Sequence, residues 1–224
     1  AGHTLVGIKL VGLDPIHKVT IIPRGMALGL TQTLPEKESV SFTKSKAISM
    51  IAFLFGGRAA EVVEFQDITT GAGNDIERAT EIARKMVCEW GMSDKLGPQA
   101  YEKSEGPVFL GMGGQTPQKE YSDSKAEEID SEISRIIREG YETALKVLRD
   151  NKGALDRLAQ ALLEYETIDG AEVDMLVNGA EVKEIEKMRS NKRDGGLGVA
   201  GVDLKKTSGG GGKDPVGNPG PVSI

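Results

Sequence analysis

Two side chains stand out for the chemistry their types and settings allow: the carboxylate of Asp75 and the imidazole of His3. Asp75 lies in Thr69–Thr80, TTGAGNDIERAT, a Gly-rich turn that runs into a helical pattern. Asn74 reads as the N-cap, with Glu77 three residues on as in a capping box. Asp75 then falls in the first turn, where the helix dipole favours negative charge. Ile76, Ala79, Ala83, Met86, Val87 and Trp90 follow at helical spacing, and Gly91 is a natural residue for the helix exit. Taken alone, a carboxylate held there caps or pre-charges a helix start in most proteins. His3 sits in Ala1-Gly2-His3-Thr4-Leu5-Val6-Gly7, which reads as the inside of a helix whose first part is absent. A lone helical histidine is usually packed or solvated.

The elements that must position these groups follow in order. Residues 1 to about 10 form the tail of a helix, broken by Asp14-Pro15. His17–Ile22 has strand composition, Pro23-Arg24-Gly25 turns, and Met26–Leu30 returns as a second strand. His17 is expected to hydrogen-bond in the loop before the strand. The open edge of this hairpin can bind an extended peptide by strand addition or lie covered by a loop. A long helix is predicted over Thr43–Phe65, interrupted by Gly56-Gly57. Each glycine costs about 1 kcal/mol relative to alanine there, so the pair implies close approach of another helix, or a kink. Arg58 and Glu61, three apart, form either a solvated ion pair or a second layer behind the Asp75 helix.

Gln99–Glu120 reads as a mobile surface loop, and its Gly111-Met112-Gly113-Gly114 is too weak a pattern for a phosphate loop. From Ser122, Ile129, Ile133, Ile136, Ile137, Tyr141, Ala144, Leu145 and Leu148 line one helical face. Asn151 caps a second helix through Leu155, Leu158, Leu162 and Leu163, giving an antiparallel hairpin. Thr167–Gly170 begins a last short helix, Ala171–Val177. The domain division is 1–187, then a Gly- and Pro-containing tail, 188–224, expected to be disordered.

Composition excludes several classes. The 224 residues are 38% hydrophobic and 28% charged, with a net charge of −6. That is a globular composition. The acidic balance argues against general nucleic-acid binding. No apolar run approaches a membrane span, and no signal peptide is apparent. The single cysteine, Cys88, excludes an internal disulfide or Cys-rich zinc site and reads as a small apolar residue. Aromatics are only 4%, so the core is aliphatic.

In order along the chain, AGHTLVGI, HKVTIIPRG, ALGLTQTLPE, FTKSKAISMIAFLFGGRAAE, TTGAGNDIERATEIARKMVCEWGMSDKLGP and LLEYETIDGAEV resemble the peptidase domain of FtsH-type ATP-dependent zinc metalloproteases, from Ala1 to about Val182. That family uses a His-Glu-x-x-His helix plus a distant Asp. Two histidines four apart share one helix face and can bind one Zn²⁺, while the Glu serves as general base. The resemblance makes Ala1-Gly2-His3 the end of this motif, with His3 the second histidine ligand and Asp75 the distant carboxylate ligand. Glu61 falls in the GGRAAE block, near the site but not as a ligand. The first histidine and the Glu base would precede Ala1, so the polypeptide as it stands is expected to hold zinc poorly and not to cleave peptides. Substrate contacts are expected at Met26, Ala27, Leu28, Gly29 and Leu30, along the hairpin edge.

The resemblance further implies a homohexameric ring degrading unfolded membrane and cytosolic proteins, with ATP used only in an ATPase module outside this chain. It implies the cytoplasmic face of a bacterial inner membrane, or an organellar membrane, with this fragment itself soluble. Two other readings are a helical ring scaffold that has lost its metal site and a plain helical-hairpin interaction module. His-Glu directly before Ala1 supports the enzyme; another pair there supports the scaffold. The expected fold is mainly α, with one small hairpin or sheet and a long C-terminal helical hairpin. The helices holding His3, Phe53–Glu61 and Asp75 should converge, and the Ser122–Leu163 helices should form a separate layer.

Overall fold

The first helix, α1 (Gly2–Lys9), is almost wholly buried along its middle: Gly2, Thr4, Leu5, Val6 and Gly7 are all in the interior. The computed structural model describes residues 1–23, 29–34, 41–101 and 121–195. Among these the chain is mainly helical. After α1 come β1 (Ile16–Thr20) and β2 (Leu30–Thr33), then α2 (Lys44–Leu54), α3 (Gly56–Phe65), a 3₁₀ turn at Thr70–Ala72 and α4 (Gly73–Cys88). The C-terminal half runs α5 (Asp123–Asp150), α6 (Lys152–Tyr165), β3 (Thr167–Asp169), α7 (Gly170–Val177) and α8 (Lys183–Gly195).

The strands form an antiparallel sheet in the order β2-β1-β3. The expected hairpin is present with shifted bounds: β2 starts at Leu30, where the second strand was expected to end. Met26, Ala27 and Leu28 lie outside the described residues. The third strand is a correction. Thr167–Asp169 looks like a helix start, and Asp169 does cap α7, but the preceding residues first pair with Lys18–Thr20 of β1. His17 is likewise corrected: it lies within β1 and is exposed, not in the loop before it.

The predicted Thr43–Phe65 helix is two helices. Thr43 caps α2 by accepting from Lys46 N, and the chain turns at Phe55 before α3. The glycine pair marks this junction because α1 crosses there. A Cβ on Gly56 would lie 2.8 Å from His3 Cα and 2.9 Å from its backbone nitrogen. A Cβ on Gly2 would collide with Gly56 O. Close approach and interruption therefore both occur, and the first causes the glycine requirement.

The Ser122–Leu163 helices are not a separate layer. Helix α5 packs on α2, α3 and α4 as part of one core. Its stripe of Ile129, Ile133, Ile136, Ala144 and Leu148 is buried, and Gly140 lets α2 approach so closely that a Cβ there would stand 2.5 Å from Ile51 Cγ2. Phe55 meets Tyr141 edge to face across the same seam. Helix α6 packs chiefly on α7 instead. Cys88 is fully buried, as its apolar reading requires.

Helix α8 continues to Gly195, so residues 188–195 are helical where a disordered tail was expected; residues 196–224 lie outside the described residues. The Gln99–Glu120 loop also falls largely outside them. No helix among the described residues is long and apolar enough to cross a membrane.

Candidate metal centre

His3 enters the site from α1 with its ring orientation already fixed. Its Nδ1 is 2.9 Å from the carbonyl oxygen of Phe53. A carbonyl can only accept, so Nδ1 carries the proton and donates, leaving Nε2 with its lone pair in the neutral ring. Phe53 also tilts against the imidazole, with ring centroids 5.5 Å apart. On the other side, Gly57 of α3 supplies clearance: a Cβ there would fall 2.7 Å from Nε2. The second glycine of the pair thus makes room for the reactive nitrogen, as the first makes room for the α1 backbone.

Asp75 arrives from the first turn of α4. Asn74 does not cap this helix. The 3₁₀ turn runs straight into α4, whose first residue is Gly73 and whose cap position, Ala72, offers no side chain for the purpose. Capping passes upstream to Thr69, whose side chain accepts from Gly71 N at 3.2 Å. Gly91, past the end of α4, takes a left-handed φ of 58° and turns the chain away.

The two groups meet: His3 Nε2 lies 3.4 Å from Asp75 Oδ2. Both side chains remain partly open, 30% and 27% exposed. With Nδ1 protonated, Nε2 and Oδ2 are two acceptors face to face. Two lone pairs at this distance need a proton or another cation between them. The spacing also suits a metal, since N and O ligands of zinc at about 2.0–2.1 Å across a tetrahedral angle stand about 3.3 Å apart. The donor types and their separation fit zinc, and they form a pair: no group of three or more His, Cys, Asp or Glu that could hold a metal occurs among the described residues.

Glu61 does not face this pair. Its carboxylate accepts from Thr69 N at 3.0 Å and from Thr69 Oγ1 at 2.6 Å. These bonds from Thr69, side chain first and backbone second, hold its carboxyl below the ordinary range. Arg58 donates from Nη1 to Thr69 O at 3.3 Å. The pair predicted at Arg58 and Glu61 therefore grips the loop that leads to Asp75.

Of the predicted edge residues, Gly29 and Leu30 are described. Gly29 lies against the β1 backbone, where a Cβ would stand 2.8 Å from Thr20 O. Leu30 begins β2, pairs with Thr20 and is partly exposed. β2 is an edge strand, and it reaches α1, the helix of His3, through Thr31, whose Oγ1 is 3.3 Å from Oγ1 of buried Thr4, the residue after His3. Thr69, Thr4, Thr31 and the Phe53 carbonyl were not singled out from the sequence. Thr69 had a signal, a hydroxyl two residues before a glycine at a helix entry; the Phe53 carbonyl, being backbone, had none.

A family model described as Peptidase family M41 matches residues 1–176. The chain belongs to peptidase family M41. It is 70% identical over all of its 224 residues to ATP-dependent zinc metalloprotease FtsH 1 of Bdellovibrio bacteriovorus, covering 34% of that protein. It is 48% identical over 182 residues to the ATP-dependent zinc metalloprotease FtsH of Myxococcus xanthus, covering 81% of this chain and 28% of the relative. A third, the FtsH of Acidobacterium capsulatum, is 44% identical over 228 residues, covering 99% of this chain and 34% of the relative. The chain thus spans about a third of the length of these curated relatives.

Proposed function

We propose that this chain is the peptidase module of an ATP-dependent zinc endopeptidase, with His3 and Asp75 as two of the metal's protein ligands. The observation that carries the reading is the His3 Nε2–Asp75 Oδ2 approach of 3.4 Å, with Nδ1 committed to the Phe53 carbonyl. Family membership and the names of the relatives support it.

Zinc, when bound, supplies Lewis acidity that activates water and polarises a scissile carbonyl. The chain's own residues prepare the site for it. The Phe53 carbonyl selects the His3 tautomer whose Nε2 can ligate. Asp75 adds a negative charge that offsets the cation's. The third donor and the general base are groups outside this pair.

Substrate recognition on this proposal uses the β2 edge. An extended, unfolded polypeptide adds as a strand, fixing the scissile amide by backbone hydrogen bonds that are indifferent to sequence. The Thr4–Thr31 contact ties that strand to the residue next to His3, which favours this route. Met26, Ala27, Leu28, Gly29 and Leu30 belong to the same proposed edge. Assembly as a homohexamer, coupling to an ATPase module, and work on unfolded membrane and cytosolic proteins at the cytoplasmic face of a bacterial inner membrane complete the reading.

The test is metal analysis and degradation of an unfolded protein such as casein by the natural polypeptide containing this chain. About one zinc per chain and cleavage abolished by a chelator are expected. A zinc-free protein that leaves casein intact in the presence of ATP and added zinc would instead favour a helical ring scaffold.

A further inference from the structure

The Asp75 carboxylate has little to orient it. Among the described residues its one ion-pair or hydrogen-bond partner is His3. Its position must be set by where α4 begins, and α4 begins at the end of the turn that Thr69 opens. Thr69 is exposed, so packing does not hold it. Polar contacts do, and they involve each of its hydrogen-bonding groups. Its N–H and hydroxyl donate to the two oxygens of Glu61, its carbonyl accepts from Arg58, and its hydroxyl oxygen accepts from Gly71 N.

Both gripping residues lie on α3, one and four residues after Gly57, the glycine that clears space for His3 Nε2. The same short helix therefore seats the imidazole and anchors the entry to the carboxylate. We infer that α3 sets the separation between the two proposed ligands, and that Glu61, acting through Thr69, is a positioning residue for Asp75. The inference rests on the proposed metal site and adds to it a specific mechanical cause. A carboxylate suits this task because it accepts two bonds at once in a fixed plane, and charge-assisted bonds are short and directional. The Arg58 charge beside Glu61 favours the ionised form that can do so.

The test compares Glu61→Ala, Thr69→Val, Thr69→Ser and Asp75→Asn in the natural polypeptide. Zinc affinity is measured by chelator competition, and the ligand field by the visible absorption of the cobalt-substituted protein. Glu61→Ala and Thr69→Val are expected to weaken zinc by about tenfold or more and to change the cobalt spectrum, with circular dichroism and melting temperature retained. Thr69→Ser keeps the hydroxyl and should match wild type. If Glu61→Ala does not fold, Thr69→Val against Thr69→Ser isolates the same bond. Wild-type affinity and an unchanged spectrum in Thr69→Val, alongside loss of zinc in Asp75→Asn, would overturn the positioning role while leaving the metal site standing. Wild-type zinc affinity in Asp75→Asn would overturn the metal site itself.

Discussion

Gly57 lies directly against the imidazole of His3: a methyl group there would come within 2.7 Å of Nε2 and 3.2 Å of Cε1. The obstacle is a side-chain ring, whereas at the neighbouring Gly56 it is the α1 backbone. The two glycines are therefore expected to respond differently to the same change. Gly57→Ala replaces a glycine in the first turn of α3, a gain below the roughly 1 kcal/mol of a helix interior, but pushes the ring off its line to Asp75. The expected outcome is melting temperature equal to or above wild type with zinc affinity reduced about tenfold. Gly56→Ala should lower the melting temperature, costing about 1–3 kcal/mol. Calorimetry with chelator competition checks both, and equal effects at the two positions would count against the assignment.

A buried carboxylate away from the site gives a pH prediction. Glu132 of α5 is 1% exposed and is held by Arg135 from Nε and Nη2, each at 2.8 Å, and by Ser93 Oγ at 2.8 Å. Lys95 and Glu139 are the other charges near this cluster. Bonds from Arg135 hold the Glu132 carboxyl below its ordinary value; burial opposes this, and Ser93 assists. A depressed folded value means the group stabilises the fold above about pH 4.5, and that stability is lost as pH falls through the folded value. Arg135→Met should cost about 2 kcal/mol at pH 7 by leaving the carboxylate under-satisfied. The gap from wild type should shrink as pH falls below about 4.5, because protonating Glu132 removes what was lost. Denaturant titrations across that range check it, and a pH-independent gap would contradict it.

The α7 start predicts a stability effect with no metal component. Asp169 Oδ1 accepts from Glu172 N and Glu172 Oε2 accepts in turn from Asp169 N, both at 2.9 Å. Asp169→Ala removes the cap and should cost about 1 kcal/mol, read as a lower melting temperature with zinc affinity unchanged. An unchanged melting temperature would show the reciprocal pair to be inconsequential.

The sequence was most legible where spacing and steric need coincide. Apolar periodicity locates α2, α4, α5 and α6, and the glycine pair signals a helix crossing. Motif resemblance brought His3 and Asp75 together across more than seventy residues, which local pattern could not do. Three features were less legible for physical reasons. β3 has three residues, too few for alternation, and its Asp169 announces a helix cap that is also present. Asn74 reads as a cap because it suits one, but the 3₁₀ turn moves the start of α4 upstream and gives that role to Thr69. The stripe on α5 reports that one face is buried but not against what, so a helix embedded among α2, α3 and α4 reads as part of a separate layer.

Replacing the proposed carboxylate ligand is the simplest functional prediction. Asp75→Asn preserves size and helix but substitutes a neutral amide, a poorer zinc ligand that no longer offsets the cation's charge. Zinc content should fall well below one per chain, with helical circular dichroism unchanged. Zinc content equal to wild type would remove Asp75 from the site.

The most direct test of the central claim is a crystal of the natural polypeptide measured on both sides of the zinc absorption edge. The account predicts one anomalous peak bonded to His3 Nε2 and an Asp75 carboxylate oxygen, at about 2.0–2.2 Å from each, with Nδ1 still on the Phe53 carbonyl. A zinc peak elsewhere, or none between these two side chains in zinc-replete crystals, would contradict it.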